Sequence, residues 1–355
     1  MQGGPESHQS DASSSAERDA HRLRYGLIWT IALGVLLLAI GLAVPDLRSV
    51  LERISNADLS WVLLAVGLEV ASCVGYVVFV RLILWRAPAR DVRSLAWAEM
   101  AFGAVVPVGG AGGLAVGAWA LRAWGMSWSR IANRSAIIFL LTSAVNTGVL
   151  ALGALGLLLG LGQAGDSGWL AIVPLTVAIV VLGAFLLLPG WIARDERTER
   201  HGRLGKVLRS LAGWVRATES VAFVPNWRLL GAVAYLLFDI AVLWCCLRAF
   251  GTSPSILALV VGYQVGYLAN LLPIPGGIGV LEGGLLGALL LYGLPAAPAA
   301  AAVILYHAIA LWVPALGGTV GFARLRGAIA TRARELRVAP VSGEATPARQ
   351  QSLAA

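Results

Sequence analysis

Residues 270–284 read NLLPIPGGIGVLEGG, inside an apolar run that extends over 256–292. Pro273 and Pro275 stand one residue apart, Gly276, Gly277 and Gly279 follow, and Glu282 comes next. Proline withdraws a donor from the helical ladder, and glycine admits the dihedrals of a sharp reversal. At membrane depth, irregular backbone is tolerated only where protein buries it or where it lines a cavity. The stretch therefore predicts a helix that enters the membrane, breaks and returns.

Composition places the rest of the chain around that break. Of 355 residues, 58% are hydrophobic and 13% charged, and mean hydropathy is +0.78. Soluble domains carry roughly 25% charged residues, so a polytopic α-helical membrane protein is implied. Apolar segments lie at 25–44, 61–84, 97–121, 134–163, 169–191, 228–250, 256–292 and 297–321. Spanning ~30 Å of hydrocarbon takes ~20 residues of helix, which these segments approach or exceed. They are continuous rather than alternating, which excludes a β-barrel. Residues 1–22 are polar and Ser-rich and read as a disordered tail, followed by 25–44 as an uncleaved anchor. Residues 23–325 then form the membrane domain and 326–355 a C-terminal tail. Cys73, Cys245 and Cys246 all lie in apolar segments and read as small packing residues, with no cofactor or metal expected.

The formal charge of +8 is almost wholly arginine, since Lys206 is the only lysine. Basic clusters precede residue 25, fill 81–93 and 122–134, run from Arg194 to Arg228, and resume at Arg324. If 97–121 crossed the membrane, the clusters on its two sides would face opposite compartments. If it enters and returns, all Lys and Arg fall on one side except Arg48, Arg53 and Arg248. The positive-inside rule favours the second arrangement and places both termini in the cytoplasm of a bacterial-type inner membrane. The turn of this hairpin is visible as VVPVGGAGG at 105–113, with Pro107, Gly109, Gly110 and Gly113. It aligns with LLPIPGGIG at 271–279, and WGM at 124–126 resembles YGL at 292–294. The second hairpin follows a helix that ends outside, so it enters from the opposite face. The expected architecture is six full transmembrane helices plus two oppositely entering re-entrant hairpins, 97–121 and 256–292, related as an inverted repeat. In transporters, paired interruptions of this kind mark a site near the midplane.

Polar residues inside these segments are the candidate site. Glu282 falls in the first turns of the returning half-helix, where it can bind a proton or cationic head group or satisfy its own helix start. Asp239 and Glu69 sit centrally in their helices, and either can line a cavity or serve as a contact between helices. Tyr263, Gln264, Tyr267 and Asn270 form a polar stripe running into the break, and Asn146 is a polar point after the first hairpin. His307, beside Tyr306, suits a hydrogen-bonded packing role or a proton relay. Arg248 stands at an outer helix end, where it snorkels or holds a lipid phosphate. Arg81 and Arg122 frame the mouth of the first hairpin and are the next candidates to hold a phosphate, and Glu99 is expected to reach the cytoplasmic interface. The basic segment 197–221 predicts an amphipathic helix on the inner leaflet, with anionic lipid rather than nucleic acid as its partner.

The residues LLPIPGGIGVLEGGL, then LYGL, then AAVILYHAIALWVPALGG at 301–318 resemble the transmembrane, flippase-like domain of the lysylphosphatidylglycerol synthases. The resemblance covers about 25–325 and is most specific at 269–295. It implies a lipid flippase that moves an aminoacyl-phospholipid or a polyprenyl-phosphate-linked glycolipid between leaflets. In the family a Gly-Glu or similar polar pair commonly follows the first hairpin's proline, whereas PVGGAGGLAVGAW here has no acid. No segment of the chain reads as the soluble aminoacyltransferase domain of the synthases, so enzyme activity is not expected. There is no GxxxxGK[ST], so movement is expected to be gradient-driven, through the carboxylates, or passive. The alternative is a membrane-embedded enzyme, or an accessory subunit of a partner synthase, acting on lipid-linked sugars in cell-envelope assembly. A homo-oligomer is equally open. No DxD, HxxxH or C-x-x-C pattern supports the enzyme.

Overall fold

The computed structural model describes residues 57–105, 111–162, 168–195, 203–268 and 280–338, all of them helix or short connection. The expected span 25–44, the tail 1–22, residues 339–355 of the expected tail 326–355, and the residues of the two breaks other than Gly113 lie outside these. Helix α1 (Leu59–Ile83) starts where the Asp58 side chain accepts from Ser60 N at 2.9 Å, the usual N-cap bond. It ends beside Arg81, whose Nη1 donates to Ala87 O at 2.6 Å as the chain approaches Pro88. Then come α2 (Ala89–Val105), α3 (Ala111–Ala123), α4 (Trp128–Leu158), α5 (Trp169–Asp195), α6 (Arg203–Ala222), α7 (Leu230–Ala249), α8 (Ile256–Tyr267), α9 (Val280–Leu291) and α10 (Ala296–Val338). A 3-10 turn at Trp227–Leu229 leads into α7.

Five of the described helices, α1, α4, α5, α7 and α10, are long and apolar enough to cross a membrane. Helices α8 and α9 have 12 residues each. At ~1.5 Å per residue each reaches only ~18 Å, short of a bilayer core of ~30 Å. They pack against each other, as do α2 and α3.

Close contact between apolar helices in lipid depends on small residues, since burial from lipid tails supplies no hydrophobic drive. The α1–α7 crossing shows this reciprocally. A Cβ on Gly75 would lie 2.9 Å from Gly231 O, and one on Gly231 would lie 2.6 Å from Gly75 O. Four further contacts form two pairs. Helix α2 packs on α10 and α8 on α4; α3 meets α4 and α9 meets α10. Exchanging α1 with α7, α2 with α8, α3 with α9 and α4 with α10 maps this set onto itself. The ends of α3, α4, α7 and α9 share one cap, placed at Gly160 after α4 and Gly251 after α7. Gly125 (φ 85°) and Gly293 (φ 81°) take left-handed backbone, and the following N–H reaches back five residues, from Met126 to Leu121 O at 2.9 Å and from Leu294 to Leu289 O at 3.1 Å. Only a residue without Cβ takes that φ cheaply.

Two boundaries and one helix's packing differ from the sequence expectations. The first hairpin begins at Ala89 rather than 97: Arg90, Asp91 and Arg93 depress hydropathy, yet they are acceptable in the first turns of a helix that starts after Pro88. Helix α10 continues through Pro314 and past 321 to Val338, because its Arg-, Ala- and Leu-rich end has high helix propensity despite its charge. Helix α6 occupies the basic loop as expected, but Ala212, Val215 and Thr218 are buried along one face, and the helix packs on α4 and α5. Helix α5 turns Ile172, Val173, Ile179, Val180 and Leu187 outward, the surface a lipid-facing helix presents. All three cysteines are free and buried.

Candidate functional site

Asp239 lies midway along α7, facing α8 and α10. Its carboxylate accepts from Tyr263 Oη and from Tyr306 Oη, the latter at 3.0 Å to Oδ1 and 3.1 Å to Oδ2. The two hydroxyls are 3.2 Å apart, and Tyr267 Oη is 3.4 Å from that of Tyr306. Tyr263 and Tyr267, four residues apart on α8, stack at 4.7 Å between ring centroids, and Tyr306 meets Tyr263 edge-on. Tyr263 and Tyr306 are buried, while Asp239 and Tyr267 keep partial exposure. Two hydroxyl donors on one carboxylate match the acceptor-only character of its ionised form. Glu69 approaches from α1, within electrostatic range of Asp239. It is buried, with one weak contact to Cys73 Sγ at 3.8 Å, and its Oε2 has no hydrogen-bond partner among the described residues.

One residue beyond Tyr306, His307 points to a second acid. Its Nδ1 is 3.2 Å from Oε1 of Glu282, in the first turn of α9. This pair is open, with side chains 40% and 23% exposed. Adjacent residues on a helix project about 100° apart, so α10 presents Tyr306 to Asp239 and His307 to Glu282.

A third charged group closes the first hairpin. Arg134 of α4 grips Glu99 of α2 with two bonds, Nη1 to Oε1 at 2.6 Å and Nη2 to Oε2 at 2.8 Å. Tyr76 of α1 donates to Glu99 Oε2 at 3.2 Å. Both charged side chains are almost fully buried, at 6% and 4% exposure. Gly113 and Gly117 of α3 make the room: a Cβ at 113 would lie 2.6 Å from Glu99 O, and one at 117 would run into Glu99 Oε1. The Tyr76 ring lies 5.3 Å from that of Tyr235, one turn before Asp239 on α7.

The candidates read from sequence separate accordingly. Asp239, Tyr263, Tyr267, Tyr306 and Glu69 converge, and Glu282 joins His307. Gln264 Nε2 donates to Asn146 O at 3.0 Å, so that pair ties α8 to α4. Arg248 is bound to Ser253 Oγ and lies 5.2 Å and 5.8 Å from the rings of Trp61 and Trp244. Arg122 donates to Met126 O at 2.9 Å and covers Trp128, and Arg81 holds Ala87. These three serve helix ends in this structure. Glu99 does not reach the interface but is buried against Arg134. Arg134 counted only as one charge of a basic cluster in the sequence, and its partner is 35 residues away. The available signal was that an acid amid Ala, Trp and Met requires a buried cation. Asn270, Pro107, Gly109, Gly110, Pro273, Pro275, Gly276, Gly277 and Gly279 lie outside the described residues.

Residues 27–318 match the lysylphosphatidylglycerol synthase TM region. The chain belongs to that family. It is accordingly a multi-pass membrane protein, and all three polar groups fall within the family's segment. No curated protein matches the sequence.

Proposed function

We infer that the chain carries a polar-headed lipid, an aminoacyl-phospholipid or a polyprenyl-phosphate-linked glycolipid, between leaflets of a bacterial-type inner membrane, without chemistry on its cargo. The observation that carries this reading is the convergence of Asp239 with Tyr263, Tyr267 and Tyr306 inside apolar helices. Polar groups at that depth are costly and serve ion or substrate paths by default. The partly exposed Glu282–His307 pair adjoins it, since His307 follows Tyr306 on α10, and Glu282 carries the polar surface onto α9. Membership of a flippase-like family supports the same reading.

The paired contacts support an inverted repeat with two re-entrant hairpins entering from opposite faces. In that arrangement the basic loop and both termini are cytoplasmic. The head group passes the Asp239 cluster while its tail stays in lipid, and the titratable acids couple movement to protons. The test is reconstitution of the purified chain into vesicles with a head-group-labelled lipid. Faster exchange between leaflets than in empty vesicles, accelerated by a proton gradient, is expected. Exchange equal to that of empty vesicles, for aminoacylated and polyprenyl lipids alike, would refute the reading.

A further inference from the structure

At the far end of the first hairpin, α2 and α10 enclose a cavity of about 350 Å³ lined by Arg90, Arg93, Ser94, Trp97, Val320 and Arg324, with two glycines between them. Arg90 and Arg93 are three residues apart and so share a face of α2. Arg324 comes from α10, brought close because the crossing is nearly backbone on backbone. A Cβ at Gly321 would lie 2.9 Å from both Ser94 O and Trp97 Cβ. Among the described residues, none of the three arginines has an acid partner, although Asp91 is next in sequence and Arg134 shows that this fold does pair arginine with acid. Ser94 lines the cavity, and its hydroxyl makes no hydrogen bond to a described residue. Three unneutralised guanidiniums around one cavity are a deficit of negative charge that a multi-oxygen anion fills. Guanidinium forks bind phosphate bidentately, and one planar carboxylate does not offer enough acceptors for three forks.

The depth of the cavity points to the source. The apolar run of α1 ends at Ile83 and α2 begins six residues later at Ala89, so Arg90 and Arg93 sit at the polar boundary. Trp97 lies one turn further along, and tryptophan favours the level of the lipid head groups. Val320 adds an apolar wall beside it. The geometry assigns this cavity as a binding site for a phosphate group, that of an anionic membrane lipid, held by Arg90, Arg93 and Arg324. Arg324 lies past residue 318, where the family match ends. The site is separate from the Asp239 cluster, and binding there does not depend on transport.

The test titrates the purified full chain with short-chain phosphatidylglycerol, short-chain phosphatidylcholine and inorganic phosphate. It compares the wild type with a triple variant, Arg90→Gln, Arg93→Gln and Arg324→Gln. A control triple, Arg86→Gln, Arg130→Gln and Arg216→Gln, removes the same charge from exposed positions elsewhere. All three cavity arginines are exposed, so folding is retained, and an unchanged thermal midpoint verifies it. Phosphatidylglycerol is expected to bind more tightly than phosphatidylcholine, and its dissociation constant to rise about tenfold or more in the cavity triple. The control triple should change it little, and three Arg→Lys exchanges should restore only part of the loss. Inorganic phosphate binding as tightly as the lipid, with the same arginine dependence, would keep the phosphate site and assign it a soluble source. Equal losses in both triples, or no loss in either, would overturn the proposal.

Discussion

The helix pairs α2–α3 and α8–α9 each set an acid against a basic partner from outside the pair, and they treat it in opposite ways. In the first, Glu99 and Arg134 are sealed together, doubly bonded and capped by Tyr76, with Gly117 shaped around them. In the second, Glu282 meets His307 through a single approach at 3.2 Å, with both side chains partly open. A sealed pair costs desolvation on both sides and holds only while both partners remain. It therefore fastens α2 to α4. A partly exposed pair contributes little to stability. The difference separates scaffold from site better than the presence of charge does.

Breaking the sealed pair should produce the largest effect on stability. Arg134→Ala strands a buried carboxylate and should cost about 3–5 kcal/mol, measured as a lower thermal midpoint and poorer recovery in detergent. Glu99→Leu combined with Arg134→Met should recover much of that. If the double change is as damaging as the single one, the pair is not a unit. Gly117→Ala attacks the same pair from α3 and should cost about 1–3 kcal/mol through overpacking. A wild-type midpoint in that variant would show that the hairpin gives way more easily than its contacts imply.

The open pair should behave in reverse. Glu282→Gln or His307→Gln should shift stability by less than about 1 kcal/mol while slowing lipid exchange in vesicles. A large loss of stability with unimpaired exchange would make it a second scaffold and erase the contrast. The smallest effect belongs to the α1 cap, outside both hairpins. Hydrogen bonds from Ser60 hold the Asp58 carboxyl below its ordinary range. Its stabilisation is therefore present above the unfolded-state pKa of about 3.9 and is lost as pH falls through the lower folded value. Asp58→Asn should remove that component of the acid dependence, seen in melts at successive pH values.

Much of this could be read from the chain, and the reason is the solvent. In lipid, every polar side chain stands out, so Asp239, Glu282 and the Tyr263–Tyr267 stripe were conspicuous. What escaped was pairing across distance. Tyr306 appeared only as the neighbour of His307, because nothing local says that its hydroxyl faces Asp239 from another helix. Arg134 and Glu99 looked like interface charges for the same reason. Hydropathy misplaced the ends of helices that carry arginine near them: α2 begins at Ala89 and α10 ends at Val338. Those arginine-bearing turns, invisible to a hydropathy window, are what enclose the basic cavity between α2 and α10.

The central claim is that the polar groups converging on Asp239 carry lipid rather than only hold helices. It is tested most directly by Asp239→Asn, a near-isosteric change, with exchange of labelled lipid and thermal midpoint measured on the same reconstituted preparation. The expected result is exchange slowed by about tenfold or more, with a midpoint that falls much less than in Arg134→Ala. Exchange at the wild-type rate, or a loss fully accounted for by unfolded protein, would contradict it.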